Sequence, residues 1–124
     1  MKGIRIVTFL AELNELQCWG ADVSSAYLMA YMSEKVFIVA RPEFGDKEGH
    51  VFIIVKGLYG LRSGGKTYWD LWHDCLINLG FSACRAEPSI YMRERNGLYE
   101  YVATYVDDLC LAMHDPQELS LIHI

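Results

Sequence analysis

The spacing of apolar positions along the chain predicts two main helices. Residues Ile4–Leu16 carry apolar side chains every three or four positions, which is the period of an amphipathic helix. The same period recurs over Lys66–Leu79, where Gly80 follows as a helix C-cap. A short helix or turn is expected near Ser25–Met32. One long helix should therefore precede the strands, and the other should interrupt them.

Runs rich in β-branched and aromatic residues fill the remaining segments and predict strands. The predicted strands are Cys18–Ser24, Lys35–Ala40, Val51–Val55, Ser89–Arg95, Leu98–Val106 and Leu109–Met113. Asn96-Gly97 separates two of them and is a strong signal for a two-residue hairpin, which predicts antiparallel pairing. The expected fold class is α+β: an antiparallel sheet that Leu109–Met113 closes, with helices packed on one face.

Acidic residues interrupt this pattern at two places. Asp107 and Asp108 lie between two apolar runs, which predicts a tight turn that presents both carboxylates. Asp22 is a similar isolated carboxylate in a strand-like run. Because neighbouring anions repel, the three residues together favour a Mg²⁺ site for phosphoryl or nucleotidyl transfer. The alternative for Asp107 and Asp108 is that they are ordinary turn residues.

Composition limits the class of protein. A chain of 124 residues with 52% apolar content predicts one folded domain at most and excludes disorder as the default. The net charge of −5 lacks the basic excess of a stand-alone nucleic-acid-binding domain, although bound Mg²⁺ would offset part of it. No apolar run approaches the ~18 residues of a membrane-spanning helix, so no membrane partner is expected. Four cysteines without metal-binding spacing are expected to be reduced and buried, as in an intracellular protein.

Five ordered blocks resemble the reverse transcriptase of copia-type long-terminal-repeat retrotransposons. They are Asp22-Val23-Ser24-Ser25-Ala26-Tyr27, the glycine-rich Gly57–Lys66, Leu79-Gly80-Phe81, Ala86-Glu87-Pro88-Ser89-Ile90-Tyr91 and Tyr105-Val106-Asp107-Asp108. The likeness extends from about Ile4 to Glu118. In the glycine-rich block the common Leu-Lys-Gln-Ala-Pro is replaced by Leu61-Arg62-Ser63-Gly64-Gly65, which leaves the roles of Ser63 and Gly65 open.

The resemblance implies RNA-directed DNA polymerisation by a longer parent enzyme. Residues 1–118 would form a truncated fingers–palm part with a polymerase palm-like sheet, inactive by itself. Asp22 and Asp107 would bridge two Mg²⁺ ions, for which Mn²⁺ could substitute. Asp108 would help to hold the site, and the Val23 carbonyl would add a ligand.

The resemblance also implies a nucleotide- or template-binding group. Its members would be Tyr27, Ser63, Gly64, Gly65 and Lys66. Tyr27 would act as a steric gate beneath the incoming sugar, and the alternative is a core aromatic. Lys66 could instead be a solvated surface charge.

The partners that the resemblance implies are an RNA or DNA template with its primer, deoxynucleoside triphosphates, and the integrase and ribonuclease H parts of a polyprotein. Such a polyprotein would be located in a cytoplasmic retrotransposon particle.

Three alternatives to an active polymerase stay open. Gly60–Thr67 fits the pattern Gly-x-x-x-x-Gly-Lys-Ser/Thr of a P-loop nucleotide hydrolase, which would need a parallel sheet. A non-polymerase Mg²⁺-dependent enzyme could also use paired aspartates on a palm-like fold. The chain could also be an inactive retrotransposon relic. Residues 119–124 resemble the translation of a sequencing-library adapter, so we expect them to be foreign to the fold. The alternative is that they form a genuine last helical turn.

Overall fold

A computed structural model describes residues 2–120 of the chain, although the side chain of Ser120 is not described. Its helices are α1 (Lys2–Leu13), α2 (Ala26–Met29), α3 (Gly64–Asn78) and α4 (Gln117–Ser120), with a 3-10 segment at Pro42–Lys47. Its strands are β1 (Gln17–Asp22), β2 (Tyr31–Val39), β3 (Val51–Lys56), β4 (Ser82–Ala83), β5 (Ile90–Arg95), β6 (Leu98–Tyr105) and β7 (Asp108–Met113). Of the predicted foreign tail, 119 and 120 end α4, and 121–124 lie outside the described residues.

The described residues form two compact units. The first contains residues 2–24 and 72–120, and the second is Ser25–Leu71. Helix α3 contributes residues to both units. Each unit has its own sheet, so the prediction of a single sheet is wrong. The α+β class and the antiparallel pairing are confirmed.

The sheet of the first unit has the order β1-β7-β6-β5-β4, and every neighbouring pair is antiparallel. The predicted Asn96-Gly97 hairpin joins β5 to β6. We expected β7 to close the sheet at an edge. This prediction is wrong, because β7 lies between β1 and β6. Its residues Leu109–Met113 are all buried, as expected for an inner strand of a sheet that is covered on both faces. The first strand of the chain therefore pairs with the last one.

Helices cover both faces of this sheet. On one face Val7 and Ala11 of α1 pack with Ile90 and Ala103. On the other face the Tyr91 hydroxyl lies 2.9 Å from Nδ1 of His73 in α3. Successive residues of a strand point to opposite faces, and both Ile90 and Tyr91 are buried. The prediction that helices pack on one face is therefore wrong, because both faces of this sheet are apolar.

The second unit contains the two-stranded antiparallel sheet β2-β3. Its register pairs Phe37 with Ile53 and Val39 with Val51, and it shifts between Tyr31 and Val36. The four paired side chains share one face, and each is more than half exposed. A two-stranded sheet is marginally stable by itself, so this sheet depends on its connections to the rest of the unit.

A buried ion-pair network joins the β5-β6 hairpin to both of its flanking helices. Glu100 is fully buried and accepts hydrogen bonds from Nε and Nη2 of Arg93 at 3.1 and 2.6 Å. Its other oxygen accepts the His114 backbone N–H at 2.9 Å. Arg93 also donates to the Leu79 carbonyl at 3.0 Å and to Glu118 of α4 at 2.9 Å. The network therefore attaches α4 and the end of α3 to the sheet.

Two observations bear on the environment expected for the chain. The four cysteines are free, but Cys18 is exposed and only Cys110 is buried, so the expectation that all are buried is wrong. Between residues 2 and 120, no helix has the length and apolar character needed to cross a lipid bilayer.

Removing the arginine of the network should destabilise the first unit strongly. Arg93→Ala is expected to lower the free energy of unfolding by about 3–5 kcal/mol, because it leaves the Glu100 carboxylate buried and unpaired. Urea denaturation would measure the change. Arg85→Ala is the matched control, since Arg85 is exposed. Equal losses in the two variants would show that the network contributes little.

The attachment of α4 should depend on pH. The hydrogen bond from Arg93 lowers the pKa of Glu118 below its ordinary value. A carboxyl group with a lowered pKa in the folded state stabilises that state above its ordinary pKa and loses the contribution as pH falls through the lowered one. We therefore expect the Leu119 amide to exchange with solvent faster as pH falls through that acidic range, after correction for the intrinsic rate. Glu118→Gln should abolish this dependence, and its persistence would exclude Glu118 as the cause.

Candidate metal centre

The pairing of β1 with β7 places Asp22 opposite Asp108. These residues are the last pair of the β1-β7 ladder. Side chains of directly opposite residues in an antiparallel pair lie on the same face, with Cβ atoms about 4.5–5.5 Å apart. Two carboxylates that are distant in sequence are therefore neighbours at one end of the sheet.

A two-residue turn made by Val106 and Asp107 supplies the third carboxylate. Strand β6 ends at Tyr105 and β7 begins at Asp108, so only Asp107 lies in the turn, whereas we expected both aspartates there. Val106 has a φ of 55°, a strained conformation for a β-branched residue, and a tight hairpin turn requires such an angle. The Val23 N–H donates to the Asp107 carbonyl at 2.9 Å and fixes the turn against the end of β1.

The three carboxylates converge. Asp22, Asp107 and Asp108 each place one oxygen within 4.8 Å of the others, with Asp107 half-buried and the other two exposed. Within residues 2–120, the lysine and arginine ion pairs involve Asp70, Glu100 and Glu118, and none involves these three carboxylates. Three unpaired anions at this distance repel one another, and a hard divalent cation with oxygen ligands would relieve the repulsion.

The second group of predicted site residues lies in the second unit. Within this group, Tyr27 lies against Gly64 and Gly65. A Cβ built on Gly64 would lie 3.8 Å from Cδ2 of Tyr27, so the backbone of α3 begins against the edge of the ring. Ser63 precedes α3, and its carbonyl accepts hydrogen bonds from the N–H and the hydroxyl of Thr67. Among the described residues, the buried Ser63 hydroxyl has no hydrogen-bond partner. The nucleotide or template roles of this group stay predictions.

Lys66 is the member of this group that the structure places at the surface. Its ammonium lies 2.6 Å from the Asp70 carboxylate, and the lysine side chain is 78% exposed. An exposed pair four residues apart on a helix contributes little to stability. This geometry agrees with the solvated alternative for Lys66.

Two residues of this region were not assigned a role from the sequence, although they lie in the glycine-rich block. Tyr59 stacks on Tyr27 with ring centroids 4.4 Å apart and planes 23° from parallel. A Cβ on Gly57 would lie 2.6 Å from the Tyr27 carbonyl oxygen, so no larger residue fits there without a backbone shift. The sequence signal that could have identified them is the position of Tyr59 between Gly57 and Gly60, directly after a predicted strand.

Comparison with known protein families shows to which family the chain belongs. The family model described as "Reverse transcriptase (RNA-dependent DNA polymerase)" matches residues 1–123. The chain belongs to this reverse transcriptase family. The resemblance to copia-type enzymes that the five sequence blocks predicted is confirmed.

The curated relatives that the chain matches are transposon proteins. It is 28% identical to the retrovirus-related Pol polyprotein from transposon RE1 of Arabidopsis thaliana, over 97% of the chain and 8% of that protein. It is 26% identical to the corresponding RE2 polyprotein, over 90% of the chain and 8% of that protein. The putative transposon Ty5-1 protein of Saccharomyces cerevisiae is 29% identical over 77% of the chain and 32% of that protein. No solved structure matches significantly.

The carboxylate cluster predicts how the stability of the chain responds to metal. Asp108→Asn should stabilise the metal-free chain by about 0.2–1 kcal/mol, since it removes repulsion between opposite strand residues. Mg²⁺ should raise the melting temperature of the wild-type chain, because a ligand that binds only the folded state stabilises it. The variant should lose most of that gain in thermal melts with and without a chelator.

Asp74→Asn is the matched control, because Asp74 is an exposed aspartate of α3 in the same unit. It removes the same charge and should leave both melting temperatures unchanged. The metal centre would be excluded if Asp108→Asn and Asp74→Asn respond to Mg²⁺ alike.

Proposed function

We propose that this chain is the fingers–palm part of an RNA-directed DNA polymerase, and that Asp22, Asp107 and Asp108 form its catalytic centre. The observation that carries the proposal is the convergence of three carboxylate oxygens within 4.8 Å. The family membership supports it. The chain spans 8% of the length of the RE1 and RE2 polyproteins, so the activity belongs to a longer parent enzyme.

The donor set fits two Mg²⁺ ions. Mg²⁺ prefers oxygen ligands, keeps several waters, and takes one or two carboxylates together with substrate phosphates. Exposed Asp22 and Asp108 leave room for those waters and phosphates, and half-buried Asp107 is fixed by its turn. Asp22, Asp107, Asp108 and the Val23 carbonyl would hold the ions. Mn²⁺ has similar ligand preferences and could replace Mg²⁺.

The remaining chemistry follows from what this chain positions. When bound, two such ions stabilise the attacking primer 3′-oxygen and the leaving pyrophosphate of an in-line displacement. The protein holds its carboxylates in place through the β1-β7 ladder and the Val23 hydrogen bond, so little rearrangement is needed at the moment of reaction. Positioning and charge stabilisation supply most of the rate in phosphoryl transfer.

We assign the second group of residues to the incoming nucleotide and the template. Tyr27 would lie beneath the sugar and exclude a 2′-hydroxyl, and Ser63, Gly64, Gly65 and Lys66 would contact nucleotide or template. The contact of Tyr27 with Gly64 supports treating these residues as one group. The helix that begins at Gly64 has its positive dipole end at this group of residues, which would favour a nearby phosphate.

The proposal extends to the fold and the partners. The antiparallel sheet with its terminal carboxylates supports a palm-like fold. The partners would be a primed RNA or DNA template, deoxynucleoside triphosphates, and the integrase and ribonuclease H domains of the parent polyprotein. Assembly would take place in a cytoplasmic retrotransposon particle.

The strand pairing disfavours the P-loop alternative. A P-loop hydrolase needs parallel strands, whereas every strand pair within residues 2–120 is antiparallel. A non-polymerase enzyme and an inactive relic are both distinguished from a polymerase by primer extension. The presence of all three carboxylates favours an active parent.

Primer extension by the complete parent enzyme tests the proposal. Asp107→Asn should slow extension by on the order of 100-fold or more, since it removes a carboxylate that would hold the metal ions, and those ions stabilise the transition state. Asp74→Asn, which removes an equal charge elsewhere in the first unit, should retain activity. The isolated chain should be inactive, because it lacks most of the phosphate contacts that hold a primed template. Wild-type extension by Asp107→Asn would refute the catalytic assignment.

A further inference from the structure

The position of the Tyr27 ring depends on a neighbour that has no assigned role. Tyr59 lies on its face at a centroid distance of 4.4 Å, although Tyr59 itself is 59% exposed. The buried ring of Tyr68 is tilted against Tyr27 at 5.9 Å. Offset stacking fixes the plane of a ring more strongly than apolar contact alone. The side chain that stacks on Tyr27 is therefore an exposed one that does not fill the core.

The tip of the Tyr27 ring meets a glycine. A Cβ built on Gly65 would lie 3.4 Å from Oη and 3.9 Å from Cζ of Tyr27. A methyl group would just fit at this distance, and a larger side chain would meet the hydroxyl. Gly65 is also a position at which this chain departs from the common Ala-Pro form of the glycine-rich block. The missing side chain leaves space for the phenolic oxygen.

We propose that Tyr59 and Gly65 are positioning residues that fix the Tyr27 ring, Tyr59 by stacking on its face and Gly65 by leaving space for its hydroxyl. They thereby set the discrimination between deoxyribonucleotides and ribonucleotides. The second statement rests on the proposed function of Tyr27 as a sugar gate. The first concerns the packing of the second unit and holds without any nucleotide.

Packing is tested in the chain of 124 residues without nucleotide. Tyr59→Leu should lower the melting temperature by about 2–8 °C, the range that corresponds to loss of a stacked aromatic pair. Tyr59→Phe keeps the stacked ring and should have the wild-type melting temperature. Tyr31→Leu is the matched control, because Tyr31 is an exposed tyrosine of the same unit that contacts Lys56.

A double-mutant cycle tests the role of Gly65. Gly65→Ala should be tolerated, whereas Gly65→Val should destabilise the chain, and Tyr27→Phe should recover part of that loss by removing the hydroxyl. Additive effects of Gly65→Val and Tyr27→Phe would show that the two positions are not coupled. The positioning role of Gly65 would then be refuted, whatever the enzyme does to sugars.

Sugar selectivity is tested in the complete parent enzyme. Tyr27→Val and Tyr59→Leu should each raise the ratio of ribonucleotide to deoxyribonucleotide incorporation by on the order of tenfold, which corresponds to about 1.4 kcal/mol between the two activation free energies. Tyr59→Phe and Tyr31→Leu should keep the wild-type ratio. Deoxyribonucleotide incorporation itself should change less than the ratio.

The possible results separate the two statements. An unchanged ratio in Tyr59→Leu with a raised ratio in Tyr27→Val would refute the contribution of Tyr59 to selectivity. An unchanged ratio in Tyr27→Val would refute the gate in the proposed function and, with it, the selectivity statement. If Tyr59→Leu changes neither the melting temperature nor the ratio of ribonucleotide to deoxyribonucleotide incorporation, both statements about Tyr59 are refuted.

Discussion

The antiparallel register between β1 and β7 is the constraint on which the candidate centre depends. It joins the beginning of the chain to its end, and its last pair is Asp22 with Asp108. A shift by one residue would turn every side chain of β1 to the opposite face and would separate the carboxylates. Both ends of β1 are held: Leu16, directly before it, packs with Val7 and Ala11 of α1, and the Val23 N–H after it donates to the Asp107 carbonyl.

The same register concentrates charge and strain at one end of the sheet. Three carboxylates lie within 4.8 Å of one another, and Val106 beside them has a left-handed backbone conformation. Each feature costs stability in the metal-free chain, where strained residues of this kind cost roughly 1–3 kcal/mol each. Such costs are tolerated where a site must hold charged ligands ready for a cation. The buried Arg93–Glu100 pair stabilises the same unit through the β5-β6 hairpin.

In the second unit, several residues pack around one aromatic ring, that of Tyr27. Gly57 and Gly64 bring the backbone against Tyr27, and Tyr59 lies on the face of the ring. Glycine is required at position 57 by the close approach of a carbonyl oxygen rather than by its backbone angles. At Gly65, where this chain departs from the common form of the glycine-rich block, the helix backbone lies close to the Tyr27 hydroxyl.

The sequence alone determined the local elements and the identity of the acidic residues. Helical spacing predicted α1 and most of α3, Asn96-Gly97 predicted the β5-β6 hairpin, and isolated carboxylates indicated Asp22 and the Tyr105–Asp108 turn. These signals are local, because period, turn chemistry and the cost of an unpaired charge depend on near neighbours. Only the tertiary structure decided the central place of β7, the separate β2-β3 sheet and the contact of Tyr59 with Tyr27. Those features arise from packing between residues that are distant in sequence. A single sequence does not show which apolar segments pack against one another.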